Sequence, residues 1–221
     1  MSEPSGLRLY YHPLASFCWK ALIALYENDT PFEPHIVDLG DEASREDFKR
    51  IWPIGRFPVL RDEMRGRTIP ESSIIIEYLA QHWPGKTQLV PKEADLARDT
   101  RLRDRFYDLY VQEPMQKIVT DRLRPAGSSD PHGVEQAQTL LRTAYAMIER
   151  ETQSGTWAMG DAFSMADCAA APALFYANLV IPLGDRCRKA AAYLQRLLQR
   201  PSVARVVKEA QPYMASFPAQ A

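Results

Sequence analysis

The chain opens on an alternating stretch, Leu7-Arg8-Leu9-Tyr10-Tyr11, the period-two pattern of a strand. Trp19, Leu22, Ile23 and Tyr26 follow at three- and four-residue intervals, the spacing of one helix face. Between them His12-Pro13-Leu14-Ala15-Ser16 reads as a proline-containing turn, with Ser16 in the first helical turn. Asn28-Asp29-Thr30-Pro31 breaks that helix. Phe32 to Leu39 then predicts a second strand, and the charged, glycine-free stretch Asp41 to Ile51 a second helix. Arg56 to Asp62 predicts a short buried strand, Glu63-Met64-Arg65-Gly66 a hairpin turn, Arg67-Thr68-Ile69 its returning partner, and Glu71 to His82 a third helix.

Trp83-Pro84-Gly85-Lys86 and Leu89-Val90-Pro91 mark a change of character and form the best linker. Beyond it nothing reads as strand. Helical patterns cover Glu93 to Leu123, Val134 to Thr152, Ser164 to Leu179, Asp185 to Leu198 and Ser202 to Gln211, with Pro125 to Gly133 as a loop. The fold class is therefore an α/β N-terminal unit in the order βαβαββα followed by an all-α C-terminal unit. A doubly wound nucleotide fold would alternate strands and helices throughout, and no G-x-G-x-x-G follows the first strand.

With 221 residues, the chain has room for a sizeable core. Its 27 Lys and Arg against 28 Asp and Glu provide no broad field for nucleic acid or an anionic membrane. Met1 to Gly6 lacks a secretory leader pattern, and no apolar run approaches the roughly 18 residues of a membrane span, so a soluble, cytoplasmic protein is expected. Three widely spaced cysteines, Cys18, Cys168 and Cys187, fit a reducing compartment. The four histidines are scattered without HExxH spacing, and no metal is expected.

Pro58 stands out, because a strand interior should not hold a residue without a ladder donor. Either it is an ordinary edge-strand proline, or a cis Phe57-Pro58 peptide leaves the Phe57 N–H and C=O free to pair with an extended, peptide-like ligand. Gly160-Asp161-Ala162-Phe163-Ser164-Met165-Ala166-Asp167 contains a capping box, in which Ser164 and Asp167 satisfy each other's amides at a helix start.

The βαββα outline, the proline opening the third strand, Glu71-Ser72 at the next helix start and the helical second half together resemble the cytosolic glutathione transferases. The Ser-x-Cys arrangement at the first helix is similar to bacterial serine/cysteine-type members, and the Gly160–Asp167 motif to the family's capping box and hydrophobic staple. The resemblance implies a thioredoxin-like glutathione-binding domain over 1–85, a linker over 86–91 and a helical domain with the co-substrate site over 92–221. It also implies a homodimer, with glutathione as co-substrate.

Glu71 and Ser72 then correspond to the element receiving the γ-glutamyl end of glutathione. A hydroxyl and unpaired N–H groups in a first helical turn make an anion site, and Glu71 can pair with an ammonium; the alternative is a plain helix cap. Arg56 occupies the place of a basic residue near the glycyl carboxylate, or is a solvated surface charge. Phe57 and Pro58 align the ligand's main chain.

Ala15-Ser16-Phe17-Cys18 overlays the thioredoxin-type CxxC frame with Ala15 in the nucleophile's place, which excludes a two-thiol cycle. Ser16 resembles the serine of several transferase classes, acting as a donor to glutathione's own thiol. Lowering a free-thiol pKa by about two units needs roughly 2.7 kcal/mol. A hydrogen bond to a charged acceptor supplies about 1.5–3 kcal/mol and a helix N-terminus about 0.3–1 more, so one hydroxyl at this position suffices. Cys18 is the rival, as a low-pKa thiol or as a small buried hydrophobe. Tyr11 is a third candidate donor.

For a small hydrophobic electrophile, Leu14, Phe17, Tyr107, Tyr110 and Met115 are the candidate wall. Arg101, Asp104, Arg105 and Asp108 read as a charged face or dimer surface, with Arg101 or Arg105 as alternative contacts for an acidic co-substrate. The implied activity is transfer of glutathione to that electrophile, with isomerisation or dehalogenation sharing its first step. The alternatives are glutathione-dependent thiol–disulfide reduction through Cys18 and non-catalytic glutathione binding.

Overall fold

The computed structural model describes residues 6–151 and 155–218. The leader reading over residues 1–5 and the helix end at Thr152 lie outside the described residues. The first half contains β1 (Leu7–Tyr11), α1 (Ser16–Glu27), β2 (Glu33–Ile36), α2 (Glu42–Ile51), β3 (Val59–Asp62), β4 (Arg67–Pro70) and α3 (Ser72–His82). The strands form one sheet in the order β2-β1-β3-β4, with β1 parallel to β2 and antiparallel to β3, and β3 antiparallel to β4. This is the thioredoxin-like unit that the resemblance implied.

The alternation of β1 decides which face meets which helix. Leu7, Leu9 and Tyr11 are buried in the main core with Leu22 and Ile23 of α1 and Ile75 and Ile76 of α3. Tyr10, on the opposite face, packs with Val37, Val59 and Phe48 of α2. β2 is exposed along its length and tolerates Pro34, because an edge strand can spare a ladder donor. The third strand is shorter than expected. It starts at Val59, and Arg56-Phe57-Pro58 lie outside the ladder, the Phe57–Pro58 peptide being cis.

The second half is helical: α4 (Ala94–Phe106), a π-helical stretch (Tyr107–Gln112), α5 (Glu113–Asp121), α6 (Pro131–Glu151), α7 (Met165–Val180), α8 (Arg188–Gln199) and α9 (Pro201–Ala210). Short 3₁₀ turns precede α8 (Asp185–Cys187) and follow α9 (Gln211–Ser216). The expected helix over Glu93 to Leu123 is thus interrupted by a change of hydrogen-bond register. The expected loop ends early, because Asp130 Oδ1 accepts from the Gly133 N–H at 2.9 Å and Pro131 takes the first helical position.

Almost every side chain of α7 is buried, as befits a helix apolar on all sides at the centre of a bundle. Its start carries the expected capping box. The Asp167 carboxylate accepts from the Ser164 N–H at 2.9 Å, the Ala158 N–H at 2.8 Å and the Tyr193 hydroxyl at 2.6 Å. Burial pushes the Asp167 carboxyl up, against these donors. Among the described residues no helix is long and apolar enough to cross a membrane.

The two halves are joined through a buried charge. Lys20 of α1, 1% exposed, places Nζ 2.6 Å from Asp104 Oδ1 and 2.8 Å from Asp108 Oδ2, and donates to Ser73 Oγ of α3 at 2.7 Å. Ser73 in turn donates to Asp104 Oδ2 at 2.8 Å. Asp104 and Asp108 therefore do not belong to the solvated charged face expected from their spacing. Arg101 pairs with Glu77 at 2.7 Å, and Arg105 pairs with Asp108.

Replacing Lys20 by Met leaves two buried carboxylates facing one partly exposed guanidinium. We expect equilibrium urea unfolding to report a loss of about 3 kcal/mol or more, the cost of stranding a buried charge. An unchanged midpoint would show that the cluster contributes nothing to holding the halves together.

Candidate functional site

A cleft of about 780 Å³ opens between the two halves. One wall comes from the turn before α1 and its first residues, Leu14, Ala15, Ser16 and Phe17. A second comes from Gly55, Arg56, Phe57 and Pro58, and a third from Glu71 and Ser72 at the start of α3. The helical half contributes Gln112, Met115, Gln116 and Val119, with Tyr176 and Phe217 behind them.

Local chemistry sets each wall. The turn before α1 is pinned by the Trp19 indole donating to the Pro13 carbonyl at 2.6 Å and by the Ala15 N–H bonding the His12 carbonyl at 3.0 Å. Burial lowers the pKa of His12, and the neutral ring's Nδ1 accepts from the Leu14 N–H at 3.2 Å. The same ring stacks on Phe57, at 6.2 Å between centroids. Gly55, at φ +67°, makes the left-handed turn that delivers Arg56 and Phe57 to the cleft, a conformation that favours glycine. Among the described residues, the Phe57 N–H and C=O have no hydrogen-bond partner, and the Arg56 guanidinium, exposed at the rim, has no ion pair.

Glu71 stands at φ +69°, a left-handed conformation for a non-glycine residue that costs on the order of 1–3 kcal/mol. Among the described residues, no side chain caps α3 there, and none caps α1 at Ala15. Two helix starts thus present uncapped first-turn N–H groups at one cleft, a strongly anion-favouring arrangement. The Ser72 side chain is buried, and Ser16 accepts at Oγ from Nε2 of Gln112.

Of the residues singled out from the sequence, Ser16, Arg56, Phe57, Pro58, Glu71, Ser72, Leu14, Phe17 and Met115 line this cleft together. Cys18, Tyr107 and Tyr110 do not. Cys18 is fully buried on the core side of α1, and desolvation pushes its thiol up rather than down. Tyr107 is buried in the helical core, where desolvation raises its hydroxyl pKa, and Tyr110 is 45% exposed elsewhere on the surface. Tyr11 is buried in the sheet–helix core, its pKa also raised by burial. Arg101 and Arg105 are engaged in ion pairs and lie off the cleft.

Sequence reasoning missed Gln112, Gln116, Val119, Tyr176 and Phe217. The first three had a signal. Gln112, Met115, Gln116 and Val119 fall at i, i+3, i+4 and i+7, one helix face, and Met115 was already a candidate. Tyr107 and Tyr110 precede this run within the π stretch and do not line the cleft. Tyr176 and Phe217 carry no local signal, since long-range packing brings them here, their rings 5.4 Å apart.

Comparison with known proteins agrees with this geometry. The family model described as "Glutathione S-transferase, N-terminal domain" matches residues 9–87, and "Glutathione S-transferase, C-terminal domain" matches residues 131–200. A glutathione S-transferase-like protein, LUC7, from Fusarium is 29% identical over 72% of this chain and 70% of its own length. A probable maleylacetoacetate isomerase 2 from Drosophila melanogaster is 26% identical over 77% of this chain and 74% of its own. A crystal structure of a Methylobacterium radiotolerans glutathione S-transferase in complex with glutathione sulfonate superposes with a TM-score of 0.78, at 25% identity, covering 97% of this chain and 96% of that one. With both domain models matched in chain order and the whole fold shared, this chain belongs to the glutathione S-transferase family.

Proposed function

We propose that this protein binds glutathione in the cleft, ionises its thiol against Ser16 and delivers the thiolate to a small hydrophobic electrophile. The observation that carries the reading is the convergence of two uncapped helix starts on one cleft, each with a serine in its first turn. Glutathione has an anionic group for each. The γ-glutamyl carboxylate suits Ser72 and the start of α3, with Glu71 facing the ammonium, and the thiolate suits Ser16 and the start of α1. The unpaired main-chain groups of Phe57 match an extended peptide between them, and the free Arg56 guanidinium suits the glycyl carboxylate.

The reaction then needs little further machinery. The Ser16 hydroxyl donates to sulfur and supports the thiolate near neutral pH, the thiol proton passing to solvent. The thiolate's electron pair then forms a bond to an electrophilic carbon held by Leu14, Phe17, Met115, Val119 and Phe217 as a leaving group departs with its bonding pair or, at an unsaturated carbon, as the π pair moves to the neighbouring atom. Addition without loss of a leaving group is the first step of isomerisation, an activity named for the Drosophila relative, and this site would support it by the same residues.

The reading includes the division into a glutathione-binding unit over 1–85, a linker over 86–91 and a co-substrate unit from 92 onward, which the break between α3 and α4 supports. It also includes a homodimer in the cytoplasm. Ile74 of α3 and Leu102 of α4, with Tyr110 beyond it, are large apolar side chains exposed on adjoining elements, and a second copy would cover them.

Calorimetric titration should show glutathione binding, and a colorimetric conjugation assay should show that Ser16→Ala lowers kcat/KM at neutral pH about 10- to 100-fold. Absence of binding would overturn the reading; binding with undiminished Ser16→Ala activity would remove Ser16 from the catalytic role.

The rival route through Cys18 makes a different prediction. In native protein, a disulfide reagent should modify the partly exposed Cys187, while Cys18 and Cys168 react only as fast as the protein unfolds. Rapid native modification of Cys18, located by mass spectrometry, would restore the thiol–disulfide reductase reading.

A further inference from the structure

Donation by Ser16 to sulfur requires that its hydroxyl hydrogen be available and aimed into the cleft. A serine hydroxyl is one donor and two acceptor sites, and it rotates to suit its neighbours. The structure constrains that rotation through a residue the sequence did not single out. Gln112, at the end of the π stretch and only 2% exposed, directs its side-chain amide across the cleft from the helical half, and its Nε2 donates to Ser16 Oγ.

The direction of that bond matters. An amide nitrogen can only donate, so the Ser16 hydrogen is excluded from that side. Among the described residues Ser16 Oγ donates to nothing else, while Gln112 Oε1 is buried without a partner. The opposite orientation of the amide would present Oε1 to Ser16, take the hydroxyl hydrogen and leave none for a ligand.

We propose that Gln112 is a positioning residue: by donating to Ser16 Oγ it occupies an acceptor site, polarises the hydroxyl and leaves its hydrogen to point at the thiol of bound glutathione. The inference rests on the glutathione-binding role proposed above. It adds that the helical domain, whose walls receive the electrophile, also completes the thiol-activating site. The placement is mechanically supported, because Asp108, one helical turn before Gln112, is anchored to Lys20, one turn after Ser16. The two partners of the bond are therefore held by an ion pair a turn away on each element.

The test uses the full chain and four variants: Gln112→Glu, Gln112→Met, Ser16→Ala and the Ser16→Ala, Gln112→Met double. The pKa of bound glutathione is read from the thiolate's ultraviolet absorbance against pH, with affinity from calorimetry and kcat/KM from its pH profile. Gln112→Glu, whose carboxylate accepts the Ser16 hydrogen, should raise the thiol pKa by about one unit or more and lower kcat/KM near neutral pH by about tenfold. Gln112→Met, which adds no charge, should shift the pKa in the same direction by less. In the Ser16→Ala background Gln112→Met should have no further effect on the thiol pKa, the non-additivity expected of residues acting through one bond.

If the Ser16→Ala variant shifts the thiol pKa but neither Gln112 variant does, the positioning role is overturned while the proposed function stands. If the wild-type protein binds no glutathione, or if Ser16→Ala leaves the thiol pKa unmoved, the underlying reading fails first. Additive effects of Gln112→Met and Ser16→Ala would also overturn the inference, by showing that Gln112 acts on the ligand without Ser16.

Discussion

The buried ammonium of Lys20 is the interaction on which the arrangement of the cleft depends. It is bound by Asp104 and Asp108 from the helical half and by Ser73 from α3, all three within hydrogen-bonding distance. Lys20 lies one helical turn beyond Ser16, Ser73 directly follows Ser72, and Asp108 lies one turn before Gln112. One charge thus fixes the relative register of the three elements that bring polar groups to the cleft. An apolar contact of the same area would hold the halves together without dictating this registry, since hydrophobic burial is non-directional while charge-assisted hydrogen bonds need defined partners.

Polar groups are treated in two contrasting ways across the molecule. At the start of α7 every donor near the buried Asp167 carboxylate is matched, and the capping box closes the helix end. At the starts of α1 and α3 the matching side chain is missing, and Glu71 holds a left-handed conformation beside one of them. A helix end without a cap forfeits about 1 kcal/mol, and the backbone conformation of Glu71 costs a comparable amount. Both sacrifices fall at the cleft, where the uncapped N–H groups are left open to an anion.

The cysteines show why residue type alone is a poor guide to reactivity. A thiol near a helix start has the dipole in its favour, yet Cys18 faces the core and loses more to desolvation than the helix end returns. Ser16, two residues earlier, faces the cleft, and a neutral hydroxyl needs no ionisation to donate. The direction of the side chain around the helix, which is a tertiary property, separates the two.

Much was legible in the amino-acid order alone. Alternation in β1, the three- and four-residue spacing in α1, the Ser164–Asp167 box and the cis-capable proline at 58 are local patterns, and local backbone preferences answer to them directly. The contents of the cleft's first three walls followed, because turns and helix starts advertise themselves by residue type. What the tertiary structure alone decided was the fourth wall and the buried charges. Asp104 and Asp108 have the spacing of an exposed ion-paired face, and only the tertiary fold, in which α1, α4 and the π stretch all pack on α7, brings them onto Lys20. Gln112 reaches Ser16 across 96 positions of chain. Neither event has a local cause: the energy that selects them comes from contacts between distant segments, which a periodicity in one segment does not encode.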